Sequence, residues 1–188
     1  MIKMPLLLLI GGTGRKIGKT TLASMLIEKF GKTSKIIAVK ISNMKPGDED
    51  FHGLHDERFT KDYLIVKEKE SGDKDSQRML GSGAVHSFFI MVQDRFVDEA
   101  FETFLKKIDT DAIIVCESNS LRNIVEPGLF IMLTNNSEKS LKAESEKLLA
   151  MCDIQLAAHD YGRFAKIIAQ LQVSKSGWFF QQSLPTPV

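Results

Sequence analysis

The sequence predicts an α/β fold: one domain in three layers, with a mostly parallel central sheet and helices on both faces. Short apolar runs alternate with segments of helical periodicity along the 188 residues, as they do in βαβ units. A glycine-rich turn at residues 11–21 joins the first apolar run to the first helical segment. No repeat, low-complexity tract or linker interrupts this pattern, so residues 1–188 are predicted to form a single domain.

The first half of the chain holds the clearest element signals. Residues 6–10 are all apolar and predict a buried parallel strand. Residues 20–30 repeat apolar side chains at helical spacing and stop at Gly31, which predicts a helix. Residues 42–60 are polar and predict a long loop. By the same criteria strands are expected at 35–41, 63–67 and 85–92, and helices at 75–83 and 94–107.

The second half continues the alternation. Strands are expected at 111–116, 129–133 and 154–157, and helices at 137–151 and 162–172. Ser137 is a suitable N-cap for the first of these helices. Trp178 and the two phenylalanines after it are expected to pack, either on the core of this domain or across a dimer. The tail at 183–188 carries two prolines and is predicted to fray.

Composition and charge are those of an ordinary globular protein. Hydrophobic residues make up 43% and charged residues 26%, and the formal net charge is +1. This balance gives no overall attraction to nucleic acid or to an anionic membrane, so neither is expected as a partner. The apolar run at residues 4–10 is far shorter than the roughly 20 residues of a membrane span. A cytoplasmic protein with reduced thiols at Cys116 and Cys152 is expected.

The glycine-rich turn predicts a phosphate-binding loop, or P-loop. Glycines let backbone N–H groups approach phosphate oxygens, and the following helix adds the positive end of its dipole. Lys19 is expected at the β- and γ-phosphates as a catalytic cation, and Thr20 is expected to offer its hydroxyl to Mg²⁺. The alternative is an ordinary strand-to-helix turn. The predicted nucleotide-binding residues of the loop are Gly12, Thr13, Gly14, Arg15, Lys16, Ile17, Gly18, Lys19, Thr20 and Thr21.

The loop departs from the standard P-loop pattern at one position. That pattern places a glycine five residues before Gly18, where this chain has Thr13 between Gly12 and Gly14. The run from Gly12 to Thr20 resembles the loop of the dethiobiotin synthetases, which is also stretched by one residue. This resemblance implies ATP as the nucleotide and a small molecule as the acceptor of its γ-phosphate.

Two carboxylates are candidates for the metal and for catalysis. Glu117 follows an apolar run, so it is expected at the carboxyl end of a buried strand, where it would hold Mg²⁺; the alternative is a loop carboxylate facing solvent. Asp75 is a candidate for ordering metal-bound water or the γ-phosphate. Arg78, three residues later, either pairs with Asp75 on an exposed helix or contacts phosphate, and spacing does not decide between these roles.

Taken together, these segments resemble the molybdopterin-guanine dinucleotide biosynthesis protein B family. The likeness covers roughly residues 5–135 and includes Gly-Lys-Thr-Thr-Leu at 18–22, Ala-Val-Lys at 38–40, the segment 74–84 and Val-Cys-Glu at 115–117. The segment 74–84 resembles the family's Asp-Ser/Thr-x-Arg…Ala-Gly-Ala. The resemblance implies GTP binding, a homodimer, a partner enzyme of molybdenum-cofactor biosynthesis and a functional role for Asp75.

Weaker candidates lie outside these segments. Asn135 follows the strand at 129–133 and is either a purine-reading amide or part of a turn. Lys40, Arg78 and Arg122 are candidate contacts to a substrate, and residues 118–122 are candidates for part of a substrate or product pocket. His52 and His55, three residues apart in the polar loop, either bind a metal ion on a helical turn or are solvated, which is the more common outcome.

Three functions are compatible with these observations. The first is a GTP-binding adaptor with slow hydrolysis, in which Lys19, Glu117 and Asp75 organise phosphate and Mg²⁺. The second is an ATP-dependent ligase or kinase of the dethiobiotin synthetase type. The third is a nucleotide-binding module without useful turnover.

Overall fold

The computed structural model describes residues 1–44, 62–109, 111–135 and 142–181. Within these ranges a seven-stranded sheet has the order β3-β4-β2-β5-β1-β6-β7, and only β3 runs antiparallel to its neighbour. The strands are β1 (Ile2–Gly12), β2 (Ile36–Met44), β3 (Tyr63–Lys67), β4 (His86–Gln93), β5 (Ile113–Glu117), β6 (Val125–Thr134) and β7 (Ile154–Ala157). The helices are α1 (Lys19–Phe30), α2 (Asp75–Gly81), α3 (Val97–Leu105), α4 (Ala143–Leu149) and α5 (Tyr161–Gln170).

The layers follow from the alternation of side chains along buried strands. In β1, Leu8 and Ile10 pack into the apolar cluster that holds residues of α1 and α5. Leu7 and Leu9 point to the opposite face and join the cluster that holds residues of α3 and α4. Because β1 is covered on both faces, its sequence is a continuous apolar run rather than an alternating one. The predicted three-layer α/β fold is confirmed.

The largest difference from the predicted elements lies after α5. The helix predicted at 162–172 ends at Gln170, and the chain continues as the antiparallel hairpin β8 (Leu171–Ser174) and β9 (Gly177–Phe180). Trp178 anchors this hairpin on the domain's own core. Its ring packs edge-on against Phe30 with centroids 4.9 Å apart, and its Nε1 donates a hydrogen bond to the Leu6 carbonyl at 3.2 Å.

Smaller differences concern element ends. The helix predicted at 94–107 begins as a 3₁₀ turn, Asp94–Phe96, before α3. Of the helix predicted at 137–151, the structure describes the part that forms α4, Ala143–Leu149. Ser137 lies outside the described residues. Of the loop predicted at 42–60, residues 42–44 belong to β2 and the rest, with His52 and His55, lies outside the described residues.

Candidate functional site

The predicted P-loop connects the end of β1 to the start of α1 at the carboxyl edge of the sheet. Gly18 has a φ of 97°, a left-handed conformation that favours glycine. A Cβ on Gly12 would lie 2.6 Å from the Cδ1 of Ile17 and 3.2 Å from the Leu133 carbonyl oxygen, so a larger residue there would force Ile17 to repack. Asn119 holds Gly12 in place, since its side-chain amide accepts from the Gly12 N–H and donates to the Gly12 carbonyl, both at 2.9 Å.

The rest of the loop divides by exposure. Ile17 is buried and packs with the α1 face of the core, whereas Arg15 and Lys16 are exposed. Thr13 ties the loop to β6: its N–H donates to the Leu133 carbonyl at 2.9 Å. Its hydroxyl accepts from the Asn135 N–H at 3.1 Å, so the structure brings Asn135 to the loop.

Lys19 begins α1 and turns back over the loop. Its Nζ donates to the Gly14 carbonyl at 2.7 Å and lies 4.0 Å from Oε1 of Glu117. Desolvation by burial lowers the pKa of Lys19; the nearby Lys40 lowers it further, while Glu117 and Asp75 partly oppose the shift. The ammonium group is therefore poorly compensated, and an added anion would stabilise its charged form.

Glu117 is the last residue of β5 and the centre of a polar cluster. Register pairs it with Ile10 of β1 on one side and with Lys40 of β2 on the other. Its residue exposure is only 2%. Thr20 donates its hydroxyl to Oε2 at 2.7 Å, and Lys40 donates to Oε1. Glu117 therefore faces the P-loop rather than solvent, and its role as a Mg²⁺ ligand stays a prediction.

Asp75 reaches the same cluster from α2. It is the first residue of the helix, and its Oδ2 lies 3.3 Å from the Nζ of Lys40. Lys40 thus bridges Asp75 and Glu117, a role that the sequence did not indicate. Arg78 is exposed in the last turn of α2, and in the described residues the ion pair of Asp75 is with Lys40 rather than with Arg78.

The oxygen atoms of Thr20 and Glu117 fit a Mg²⁺ ion. Mg²⁺ prefers hard oxygen ligands and is commonly held by one or two carboxylates together with substrate phosphates and water. Within the described ranges no group of three His, Cys, Asp or Glu side chains forms a protein-only metal centre. One hydroxyl and one buried carboxylate 2.7 Å apart match the phosphate-assisted type of site instead.

Arg122 lies apart from this cluster. It belongs to the 3₁₀ turn Ser120–Asn123, and its Nη1 donates to the Val125 carbonyl at 3.0 Å and lies 3.2 Å from the Sδ of Met1. Its guanidinium stacks 5.7 Å from the centre of the Phe130 ring. These contacts tie Arg122 to the beginning of β1 and to β6.

The segment 118–122 was a candidate for a substrate or product pocket, but the sequence did not indicate that Asn119 supports the P-loop at Gly12. The signal was present, because Asn119 comes two residues after a carboxylate that ends a predicted strand. Its partner Gly12 is 107 positions away, however, and no local pattern links the two.

Comparison with known proteins supports the fold. No protein-family model matches the chain, and no curated protein matches it significantly. The crystal structure of the "apo" form of LpxK from Aquifex aeolicus, in complex with ATP, is similar to this chain with a TM-score of 0.52 and 16% sequence identity. The match covers 86% of this chain and 50% of LpxK, so the chain spans about half the length of that protein.

At this identity the similarity shows the fold alone, an α/β fold of the P-loop type. The resemblance to the molybdopterin-guanine dinucleotide biosynthesis protein B family stays a prediction. In the part of the chain that the structure describes, no helix is both long enough and apolar enough to cross a membrane.

Proposed function

We propose that this protein binds a Mg²⁺·nucleoside triphosphate at the P-loop and acts on its γ-phosphate. The observation that carries the proposal is the convergence of two ammonium groups, two carboxylates and one hydroxyl at one edge of the sheet. Phosphoryl transfer depends mainly on positioning and on charge stabilisation of the transferring group. Lys19 and Lys40 supply positive charge, and Glu117, Asp75 and Thr20 supply oxygen ligands.

Each side chain has a role that follows from its position. Lys19 exchanges the Gly14 carbonyl for the β- and γ-phosphate oxygens, and backbone N–H groups of residues 12–18 surround the same phosphates. Thr20 and Glu117 hold Mg²⁺, which when bound neutralises the charge that develops on the phosphates. Lys40 faces the γ-phosphate from β2. Asp75 orients the attacking group through its contact with Lys40.

In the first version of this function the nucleotide is GTP and the acceptor is water. The segment 74–84, which carries the resemblance to the molybdenum-cofactor protein, starts at Asp75, and Asp75 lies 3.3 Å from Lys40 beside the phosphate site. Asn135, joined to Thr13, reads the purine base. This version is a slow GTPase and adaptor, and its homodimer and partner enzyme come from the resemblance alone.

In the second version the nucleotide is ATP and the γ-phosphate passes to a small molecule, as in a kinase or ligase. Two observations favour it. The stretched loop resembles that of the dethiobiotin synthetases, and LpxK, which is similar in fold, has been crystallised with ATP. Lys40 then contacts both the γ-phosphate and the acceptor.

Thermal unfolding with ATP·Mg²⁺ and GTP·Mg²⁺ tests the shared claim and separates the two versions. A ligand at 100 times its Kd is expected to stabilise the fold by about 2.7 kcal/mol. The variant Lys19→Ala is expected to lose this stabilisation and to keep its unfolding transition without nucleotide. Lys175→Ala, which removes an exposed lysine of the β8–β9 turn, is the matched control and is expected to respond like the wild type.

Nucleotide preference and phosphate release decide between the versions. A larger stabilisation by GTP with slow phosphate release supports the adaptor, and a larger stabilisation by ATP supports the kinase or ligase. An equal response of wild type and Lys19→Ala would refute the P-loop assignment.

A further inference from the structure

The ammonium group of Lys40 lies between two carboxylates, at a position that would suit a bound cation. Its Nζ is 3.3 Å from Oδ2 of Asp75, and it also donates to Oε1 of Glu117. The side chain of Lys40 is 15% exposed and that of Glu117 is 3% exposed, so water screens this second contact weakly. In the free protein an internal ammonium group therefore holds Glu117, the carboxylate that the proposed function assigns to Mg²⁺.

Both oxygens of Glu117 are already engaged in this arrangement. Oε2 accepts from the Thr20 hydroxyl at 2.7 Å. Oε1 accepts from Lys40 and lies 4.0 Å from the Nζ of Lys19. A divalent cation that approaches Oε1 would therefore compete with Lys40 for that oxygen, and the two cannot share it without strong repulsion between like charges.

The charge of the cluster decides the outcome of this competition. Two ammonium groups and two carboxylates give the cluster a formal charge of zero; they belong to Lys19, Lys40, Asp75 and Glu117. A free Mg²⁺ ion would meet two ammonium groups there and no surplus of negative charge. The Mg²⁺ complex of a nucleoside triphosphate carries a net negative charge, and its phosphate oxygens offer both ammonium groups new acceptors.

The order of strands determines which phosphate comes within reach of Lys40. The strand β5 lies between β1, which leads into the P-loop, and β2, which carries Lys40. Register pairs Glu117 with Ile10 on one side and with Lys40 on the other. Neighbouring strands lie about 4.8 Å apart, so β2 is roughly 10 Å from β1. A nucleotide held by the P-loop therefore presents its outermost phosphate to Lys40, across Glu117.

We propose that Lys40 is an exchangeable counter-ion of Glu117. It holds Glu117 in the free protein, keeps free Mg²⁺ out of the site, and moves to the γ-phosphate when the Mg²⁺ complex of a triphosphate binds. This inference rests on the proposed function. An ammonium–carboxylate contact is replaced by an ammonium–phosphate contact, and no covalent bond changes. A nucleoside diphosphate lacks the γ-phosphate and leaves Lys40 on Glu117, so Lys40 distinguishes triphosphate from diphosphate.

Binding of Mn²⁺ without nucleotide, followed by EPR spectroscopy, tests the exclusion of free metal. Mn²⁺ replaces Mg²⁺ as the probe because it takes the same oxygen ligands and is paramagnetic. Lys40→Met removes the ammonium group and keeps an unbranched side chain, and it is expected to bind Mn²⁺ at least about 10-fold more tightly than the wild type. Two controls are expected to bind as weakly as the wild type: Lys40→Arg, which keeps the charge, and Lys67→Met, which removes an exposed lysine of β3.

The stability of Lys40→Met gives a second readout. Without its partner Glu117 becomes a buried, unpaired carboxylate, so the midpoint of thermal unfolding is expected to fall. Mg²⁺ alone is expected to restore this midpoint in the variant and to leave that of the wild type unchanged at the same concentration. If Lys40→Met does not fold, Lys40→Gln, which keeps a hydrogen-bond donor for Glu117, takes its place in all these measurements.

Calorimetric titration with nucleotides tests the movement to the γ-phosphate. A non-hydrolysable triphosphate analogue and the corresponding diphosphate are compared with Mg²⁺ present, in both the adenine and the guanine series. The wild type is expected to prefer the triphosphate. In Lys40→Met this preference is expected to fall at least about 10-fold, because the γ-phosphate loses its ammonium partner. The affinity of the variant for the diphosphate is expected not to fall.

The outcomes separate this inference from the proposed function. Equal Mn²⁺ affinity of wild type and Lys40→Met overturns the exchange of Lys40 alone, and so does an unchanged preference for triphosphate in that variant. Tight Mn²⁺ binding by Lys40→Arg as well would mean that side-chain packing rather than charge excludes the metal, and it overturns the exchange too. A wild type that binds no triphosphate at all overturns the proposed function, and this inference with it.

Discussion

The two carboxylates that pair with Lys40 lie in opposite environments. The side chain of Glu117 ends a central strand and is 3% exposed, whereas that of Asp75 begins a short helix and is 45% exposed. A buried carboxylate is costly unless its oxygens are satisfied, and both oxygens of Glu117 accept hydrogen bonds, from Thr20 and Lys40. The Asp75 carboxylate stays in contact with water, so it can leave Lys40 and bind another group at little cost. Glu117 is therefore suited to hold a cation that stays bound throughout the reaction. Asp75 is suited to contact a group whose position or charge changes during the reaction.

The largest effect is expected at the buried carboxylate. Glu117→Gln keeps the shape of the side chain and removes its charge. Side chains that support a bound metal typically contribute 10- to 100-fold to activity, and we expect a loss of about 100-fold in Mg²⁺-dependent turnover. We also expect the free energy of unfolding to fall by about 2 kcal/mol, since the hydrogen bonds to a charged acceptor weaken.

Urea unfolding and phosphate release at several Mg²⁺ concentrations measure both effects. If Glu117→Gln were as active and as stable as the wild type, the contrast between the two carboxylates would disappear.

A smaller effect on activity, and almost none on stability, is expected at the exposed carboxylate. Asp75→Asn removes one partner of an ion pair that is partly screened by water, and such pairs contribute about 0–1 kcal/mol to stability. We expect turnover to fall about 10-fold because the attacking group is less well oriented. Steady-state kinetics and urea unfolding of the variant check this. A loss of stability equal to that of Glu117→Gln would mean that Asp75 is a structural partner of Lys40.

The smallest effect concerns the ammonium group of Lys19, which donates to the Gly14 carbonyl and lies 4.0 Å from Oε1 of Glu117. Burial lowers the pKa of Lys19 in the native state from its ordinary value of 10.5. Between the lowered pKa and 10.5, the unfolded chain therefore holds more protons on Lys19 than the native protein does. As pH rises through this range, the free energy of unfolding of the wild type is expected to increase relative to that of Lys19→Met. Unfolding free energies of both proteins from pH 7 to 11, without nucleotide, measure this change.

Nucleotide is expected to remove that pH dependence, since phosphate oxygens stabilise the charged Lys19. A constant difference between wild type and Lys19→Met at all these pH values would contradict the burial of this ammonium group.

Local patterns predicted much of the fold and the centre of the candidate site. The apolar run ending at Ile10, the glycines before Lys19 and the strand ending at Glu117 are each readable within about ten residues. The hairpin after Gln170 was missed because its four-residue strands carry too little periodicity to outweigh a helical pattern. The assignment of base, metal and acceptor residues stays a prediction, since it depends on ligands rather than on the chain.

The sequence by itself determined the glycine-rich loop between β1 and α1, the alternation of strands and helices and the placement of a carboxylate at a strand end. Only the tertiary structure decided that Lys40 bridges Asp75 and Glu117, that Asn119 holds Gly12, and that Asn43 connects Ser120 to Asp94. These contacts join residues far apart in the chain. They form because the order of strands in the sheet places the carboxyl ends of β4, β2, β5 and β1 side by side, and no local stretch of sequence specifies that order.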